Sequence, residues 1–140
     1  MKYTTLRTTI PAQGGSMKLL ILRPKEPAPE SGRPGVLWIH GGGYITGMAG
    51  MIYMSRALNL VRRYGAVVVS PEYRLAGQAP YPAALLDCHG ALVYLKEHAG
   101  ELGVRSDQLM VGGESAGGGL AAALCLYERD KGGVKIAFQM

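Results

Sequence analysis

Residues 111–119 read VGGESAGGG, in which Ser115 lies among five glycines and one alanine. The apolar run QLMVGG (108–113) before it predicts a buried strand, and SAGGGLAAALCLYERD (115–130) shows a helical pattern. At a sharp turn from strand to helix, side chains two positions before and after the serine would collide. Glycine at positions 113 and 117 removes them. The stretch therefore predicts a strand, a tight turn with a strained backbone at Ser115, and a helix.

Buried strands and helices also alternate upstream of this turn. Buried strands are predicted at GVLWIHGGG (35–43) and AVVVSPEYR (66–74), and helices at MIYMSRALNLVRRYG (51–65) and PAALLDCHGALVYLKEHAG (82–100). TTLRTT (4–9) and MKLLILRP (17–24) predict two earlier strands, and VKIAFQM (134–140) begins a fourth strand of the parallel set. The order β-β-β-α-β-α-β-α-β indicates an α/β fold, a predominantly parallel sheet with helices on both faces.

Helical spacing also predicts which side chains face the core. In the first helix these are Met51, Met54, Leu58 and Val61; in the second, Leu85, Leu86, His89, Leu92 and Val93. Cys88 and Cys125 lie within apolar helical patterns, which predicts buried free thiols.

Composition excludes several classes of function. The 140 residues suit one domain, and 48% hydrophobic with 18% charged residues is typical of a globular protein. The net charge of +5 is scattered, so no nucleic-acid partner is expected. No apolar run approaches the roughly 20 residues of a membrane span, and no secretory signal is recognised, which favours the cytoplasm. The three histidines, His40, His89 and His98, have no metal-site spacing, so no metal is expected.

Residues 113–117 match G-x-S-x-G, the pattern of a serine nucleophile on a strand-to-helix turn. The turn would aim the backbone N–H of Ala116 and the helix N-terminus at a developing negative charge. Two alternatives are a glycine-rich helix start that only packs closely on the sheet, and a dinucleotide-binding loop. Residues 117–122 fit G-x-G-x-x-A, but that fit starts inside the helix, and no strand bearing an acid follows.

A second glycine motif, His40-Gly41-Gly42-Gly43-Tyr44, follows another predicted buried strand. Three glycines let backbone N–H groups approach a ligand oxygen without interference from Cβ atoms. They are expected to complete an oxyanion hole with the Ala116 N–H. His40 is expected to brace this loop by hydrogen bonds and not to act as the catalytic base.

HGGGY, PEYRLA with PYPAALLD, and GESAGG, in this order and spacing, resemble the α/β-hydrolase fold, and more narrowly the hormone-sensitive-lipase-like branch of bacterial esterases. The resemblance implies Ser115 as nucleophile, oxyanion donation by Gly42, Gly43 and Ala116, and a supporting role for Gly41. It implies hydrolysis of small carboxylic esters without a cofactor, and structural roles for Tyr73-Arg74-Leu75-Ala76 and Asp87. Glu114 stands where this branch more often has aspartate.

The resemblance also places the triad acid and histidine after the serine, in that order. Here only Glu128 and Asp130 follow Ser115 as acids, and no histidine does. His89 and His98, in the preceding helix, are not expected to be the base. The fold is expected to continue for two or more strands, so residues 1–140 would form the N-terminal portion of a single domain.

That expectation leaves three functions open. The chain is part of a serine carboxylesterase, a catalytically inactive binding or subunit-pairing module, or a half that regains activity with a separate chain. A homodimer or a complementary C-terminal fragment is accordingly a possible partner.

Overall fold

The structure, a computed structural model, describes residues 1–140. The strands are β1 (Tyr3–Ala12), β2 (Gly15–Pro24), β3 (Arg33–Ile39), β4 (Val67–Pro71), β5 (Val104–Gly113) and β6 (Phe138–Gln139). The α-helices are α1 (Arg56–Tyr64), α2 (Ala83–Glu97), α3 (Ala99–Leu102) and α4 (Ala116–Lys131), and a 3₁₀ helix covers Ala49–Met54. No helix combines the length and apolar character needed to cross a membrane.

The six strands form one sheet in the order β1-β2-β4-β3-β5-β6. β1 pairs with β2, and β2 with β4, in antiparallel fashion, whereas β4, β3, β5 and β6 run parallel. The predicted, predominantly parallel sheet is therefore confirmed. Ile39 at the end of β3 pairs with Gly113 at the end of β5, so the loops that follow these strands leave the same edge side by side.

Helices cover both faces of the sheet, as predicted. Along β3, Leu37 and Ile39 face the side covered by α2 and α4, whereas Val36 and Trp38 face the side covered by α1 and the 3₁₀ helix. Each of these four side chains is almost completely buried. This alternation is the period-two pattern of a strand buried on both faces.

The predicted helix at 51–65 is divided by Ser55. Ser55 has extended backbone angles, φ −110° and ψ 174°, and its hydroxyl accepts a hydrogen bond from the Ala57 N–H at 3.1 Å. This N-cap starts α1 afresh, and the helical phase of the preceding turn is lost. The prediction that Met54 faces the core is consequently wrong: it is 86% exposed, and Ile52 is buried instead.

The buried face of α2 also differs from the sequence prediction. In α2, Leu85 and Leu92 are buried as predicted, but Leu86, His89 and Val93 are only half-buried. The remaining buried positions of α2 are Ala83, Asp87, Cys88, Ala91 and Leu95. Asp87 is drawn inward by an ion pair with Arg74, which rotates the buried face of the helix.

The last strand is shorter than predicted, two residues instead of seven. The Val134 N–H donates to the Glu128 carboxylate at 2.7 Å, so the chain at this point is held by α4 and not by β5. Of the two thiols predicted to be buried, Cys88 is buried and Cys125 is half-buried.

Candidate active site

Ser115 occupies the turn between β5 and α4. Its backbone angles, φ 54° and ψ −120°, are ones that residues with a side chain rarely adopt. The strained backbone predicted at this position is confirmed. Such a conformation costs on the order of 1–3 kcal/mol and persists only where its surroundings enforce it. Here the Gly117 N–H donates to the Glu114 carbonyl at 2.8 Å, and the Gly119 N–H donates to the Ser115 carbonyl at 3.1 Å. The serine side chain is thereby left exposed at the carboxyl edge of the sheet.

The glycines on either side of Ser115 are required by close backbone contacts. A Cβ on Gly113 would overlap the carbonyl group of Gly117. A Cβ on Gly117 would overlap the Ile39 carbonyl oxygen and lie 2.6 Å from that of His40. The predicted collision across the turn is therefore present. A second one, between α4 and the end of β3, arises from the tertiary fold and could not be read from the motif.

The glycine loop after β3 folds against this turn. Gly42, Gly43 and Tyr44 all have positive φ, at 127°, 65° and 66°. The Gly42 carbonyl accepts hydrogen bonds from the N–H groups of Ile45 at 3.2 Å and Thr46 at 3.0 Å, which closes the loop.

The same loop is in close contact with the serine. A Cβ on Gly41 would lie 2.8 Å from the Glu114 carbonyl oxygen and 3.4 Å from the Ser115 Cβ. The structure thus brings together the two glycine motifs that are 70 residues apart in the sequence, from Gly43 to Gly113. At this meeting point lie a hydroxyl, the N-terminus of α4, and a loop without side chains, an arrangement able to bind an oxygen that gains negative charge.

His40 lies beneath this loop and is 2% exposed. Its Nδ1–H donates to the Gly41 carbonyl at 2.7 Å, and its ring stacks on Tyr73 with centroids 4.2 Å apart. The Tyr73 hydroxyl donates in turn to the His40 carbonyl at 2.7 Å. Burial raises the pKa of Tyr73 well above its ordinary value, so this hydroxyl stays a donor. The ring of His40 is enclosed by these contacts.

The other two histidines lie away from Ser115. His89 forms a hydrogen bond through Nδ1 with Glu128, a carboxylate that is 2% exposed. Although this is a carboxylate–histidine pair, Glu128 follows Ser115 by thirteen residues on α4, about 20 Å at the helical rise of 1.5 Å per residue. His98 ends α2, where its Nδ1–H donates to the Tyr94 carbonyl at 2.9 Å.

Two carboxylates at the same sheet edge were not identified from the sequence as contacts of the neighbouring helices. The Glu72 carboxylate, just after β4, accepts the Ala49 N–H at 3.1 Å, where the 3₁₀ helix begins. The Glu114 carboxylate accepts the Arg56 N–H at 3.4 Å, where α1 begins. Both carboxylates accept hydrogen bonds from backbone N–H groups at helix N-termini. Because each carboxylate is distant in sequence from the helix it caps, local sequence patterns do not predict these contacts.

Asp87 lies on α2 and holds Arg74. The guanidinium donates to both carboxylate oxygens at 2.9 Å, and the Arg74 backbone N–H donates to the same carboxylate at 2.9 Å. These bonds fix the segment that follows Tyr73.

Comparison with known proteins places this arrangement in a family. Residues 36–140 match a family model described as the α/β hydrolase fold. Esterase LipI from Mycobacterium tuberculosis is 38% identical over 111 residues, which cover 76% of this chain and 33% of that protein. The arylesterase of Saccharolobus solfataricus is 39% identical over 97 residues, covering 68% of this chain and 31% of that one.

Solved structures agree. The structure titled bacterial heroin esterase superposes with a TM-score of 0.90 at 37% identity, over 98% of this chain and 43% of that chain. A hyperthermophilic esterase from Pyrobaculum calidifontis gives a TM-score of 0.88 at 34% identity. The chain spans about a third of the length of the curated relatives it matches. It belongs to the α/β-hydrolase fold family.

Proposed function

We propose that this chain supplies the nucleophile and the oxyanion-binding half of a serine carboxylesterase. The observation that carries the proposal is the strained Ser115 turn with the glycine loop of residues 41–43 packed against it. A glycine loop without side chains beside an exposed serine suits acyl transfer. Relatives named esterase and carboxylesterase support the same class. The proposed substrate is a small carboxylic ester, and no cofactor is required by this chemistry.

In the proposed reaction the Ser115 Oγ attacks the ester carbonyl carbon, and the C=O π electrons move onto the carbonyl oxygen. In this proposal the N–H groups of Gly42, Gly43 and Ala116 donate to that oxyanion, and donors held by the folded backbone lower the barrier because they need no reorganisation during the reaction. Collapse of the tetrahedral intermediate breaks the bond to the alcohol oxygen and leaves an acyl-Ser115 ester. Water then attacks the acyl carbon in the same way, and the second tetrahedral intermediate breaks its bond to the Ser115 Oγ and releases the carboxylic acid.

This reaction needs an acceptor for the serine proton. His40 is enclosed under the loop, and His89 is paired with Glu128 far along α4. We propose that the acid and base of the triad come from a further segment that joins this sheet, so that the 140-residue chain alone turns over esters feebly or not at all.

A second candidate function is a non-catalytic binding or subunit-pairing module. It is favoured by the free edge of β6 and by the exposed side chain of Phe138 on that strand. An unpaired strand edge with apolar neighbours binds another strand readily.

A chimera separates the two candidates. Residues 1–140 replace the matching 43% of the bacterial heroin esterase chain, which supplies the remainder of the domain. We expect a folded chimera that hydrolyses p-nitrophenyl acetate, with kcat lowered about 10³-fold or more by Ser115→Ala. Ser106→Ala, an exposed serine on β5, is the matched control and should leave kcat unchanged. A folded chimera without activity, or one indifferent to Ser115→Ala, contradicts the esterase proposal.

A further inference from the structure

Tyr44 follows the glycine loop and adopts a left-handed backbone, φ 66°, that is uncommon for a residue with a side chain. Only Ser115 shares this property among the non-glycine residues of the chain. Strained conformations of this kind gather at functional sites, where surrounding contacts hold them. In Tyr44 the contact is partly backbone: its carbonyl accepts the Ala76 N–H at 2.7 Å.

The side chain of Tyr44 reaches across to α4. A Cβ on Gly119 would lie 2.6 Å from the Tyr44 hydroxyl oxygen and 3.9 Å from the ring carbon that bears it. Apart from the adjacent residues and the backbone of α4 itself, no other atom lies within 4 Å of that position. Gly119 is in the first turn of α4 and its N–H donates to the Ser115 carbonyl. The phenol therefore spans from the oxyanion loop to the helix turn that carries the serine.

The glycine at 119 has no other explanation in the packing. It is exposed, and glycine destabilises a helix relative to alanine. The space beside it is occupied by the Tyr44 hydroxyl alone, whereas Gly118, its neighbour, has only ordinary contact, 3.5 Å to the Gly113 carbonyl oxygen. Glycine, a poor helix former, thus stands at the position of α4 that the Tyr44 hydroxyl approaches.

We propose that Tyr44 is a positioning residue, which holds the N–H groups of Gly42 and Gly43 beside Ser115 through the contact of its hydroxyl group with Gly119. This proposal rests on the proposed esterase function, because the groups it positions are the proposed oxyanion donors. The effect of Tyr44 passes through the loop closed by the hydrogen bonds to the Gly42 carbonyl.

The first test needs no ligand. Amide hydrogen exchange is measured on the full chain at Thr46 and Ala76, whose N–H groups bond to the carbonyls of Gly42 and Tyr44. Tyr44→Ala, and Gly119→Ala by displacing the ring, should speed exchange at both amides by about fivefold or more. Tyr44→Phe, which removes the hydroxyl oxygen nearest Gly119, should speed exchange as well, whereas Gly118→Ala, the matched control, should match the unaltered chain. Unchanged exchange in Gly119→Ala, with the fold intact, overturns the proposal.

The second test measures the consequence for the site. Methylboronic acid is added to the chimera, in which the remainder of the domain supplies the proton acceptor. Boron accepts an electron pair from the Ser115 Oγ, which forms a B–O bond and a tetrahedral anion, and the hydroxyl proton passes to that acceptor. The Kd of methylboronic acid, followed by amide NMR, should rise about fivefold or more in Tyr44→Ala, Tyr44→Phe and Gly119→Ala but not in Gly118→Ala. Faster exchange with an unchanged Kd would make Tyr44 merely structural and overturn the positioning role.

The two proposals fail in different ways. Binding of methylboronic acid that survives Ser115→Ala, or no binding at all, contradicts the proposed function, and hydrogen exchange still decides whether Tyr44 orders the loop. Ser115-dependent binding that ignores Tyr44 and Gly119 contradicts the positioning role alone.

Discussion

At the scale of single residues, the two glycine motifs are explained by backbone atoms that approach each other closely. Gly117 faces the carbonyls of Ile39 and His40, and Gly41 faces that of Glu114. These are contacts between rigid backbone segments, which cannot move aside as a side chain can. A methyl group at Gly117 must therefore displace α4 from β3, and with it the turn that carries Ser115.

Gly117→Ala is expected to destabilise the chain by about 3 kcal/mol, the upper part of the usual range for overpacking. Gly118→Ala, one position further along the same helix, should be neutral or stabilise by up to about 1 kcal/mol because alanine is the better helix former. Urea unfolding monitored by circular dichroism measures both. Equal effects of the two substitutions would contradict the close approach at Gly117.

Buried hydroxyl and thiol groups predict a loss of stability in alkali. Burial raises the pKa of the Cys88 thiol and of the Tyr73 hydroxyl above their ordinary values of 9.0 and 10.0. Above those values the unfolded chain has released these protons while the folded chain still holds them. The contribution of these two groups to the free energy of unfolding should therefore be complete below pH 9.0 and decrease as the pH rises above that value.

Urea midpoints between about pH 8 and 11 measure this decline, because the window starts below the ordinary thiol pKa and extends above the ordinary phenol pKa. Cys88→Ala should make the decline shallower, whatever its effect on overall stability. Cys125→Ala, which removes the half-buried thiol, should change the slope less. A decline equally steep in Cys88→Ala would show that this thiol does not contribute.

At the scale of elements, local patterns predicted what local physics decides. The strands with continuous apolar runs, the turn at Ser115 and the helix after it all follow from hydrophobic periodicity and glycine placement. The start of the 3₁₀ helix at Ala49 and the buried face of α2 do not, because contacts distant in sequence set them. Glu72 accepts the N–H of Ala49 at the start of the 3₁₀ helix, and Arg74 draws Asp87 into the core.

The candidate site divides in the same way. Ser115, Gly41 and the turn glycines were predicted from their motifs, and the structure places them together. The role proposed for Tyr44 could not be predicted, since it depends on the distance between its hydroxyl and Gly119, 75 residues further along the chain. The order of these residues is evident in the sequence, but the approach of the Tyr44 hydroxyl to Gly119 arises only in the folded chain.

The ion pair between Arg74 and Asp87 joins α2 to the segment after β4. Its carboxylate is buried, at 2% exposure, whereas the guanidinium is 25% exposed. Removing one partner of a fully buried pair costs about 3–5 kcal/mol, and the partial exposure of Arg74 reduces this, so Asp87→Asn should destabilise by about 2 kcal/mol. Asp107→Asn, which breaks the exposed pair with Arg105, should have almost no effect. Thermal unfolding of the two variants compares them, and equal shifts would contradict a structural role for Asp87.

At the scale of the whole molecule, the sheet has two edges, β1 and β6. β6 is two residues long, and Phe138 on it is 59% exposed. Unpaired edges and apolar neighbours promote pairing with another strand. This surface is the proposed meeting place for a second copy or for a complementary fragment.

We therefore expect that the 140-residue chain dimerises, binds a complementary fragment, or aggregates. Light scattering across a range of protein concentrations should show a mass that rises with concentration. Phe138→Lys on β6 should reduce this rise, and Leu6→Lys on the opposite edge strand is the matched control. A monodisperse 14.9 kDa monomer with a cooperative melting transition would contradict the expectation.

We propose that Ser115 becomes acylated while the glycine loop binds the oxyanion. The most direct test mixes the chimera with p-nitrophenyl acetate and quenches the reaction with acid at short times. Tandem mass spectrometry then locates the acetyl group. The account predicts an acetyl group on Ser115, formed at least as fast as turnover, and none in the Ser115→Ala chimera. Turnover without acetylated Ser115, or acetylation elsewhere at the same rate, would contradict it.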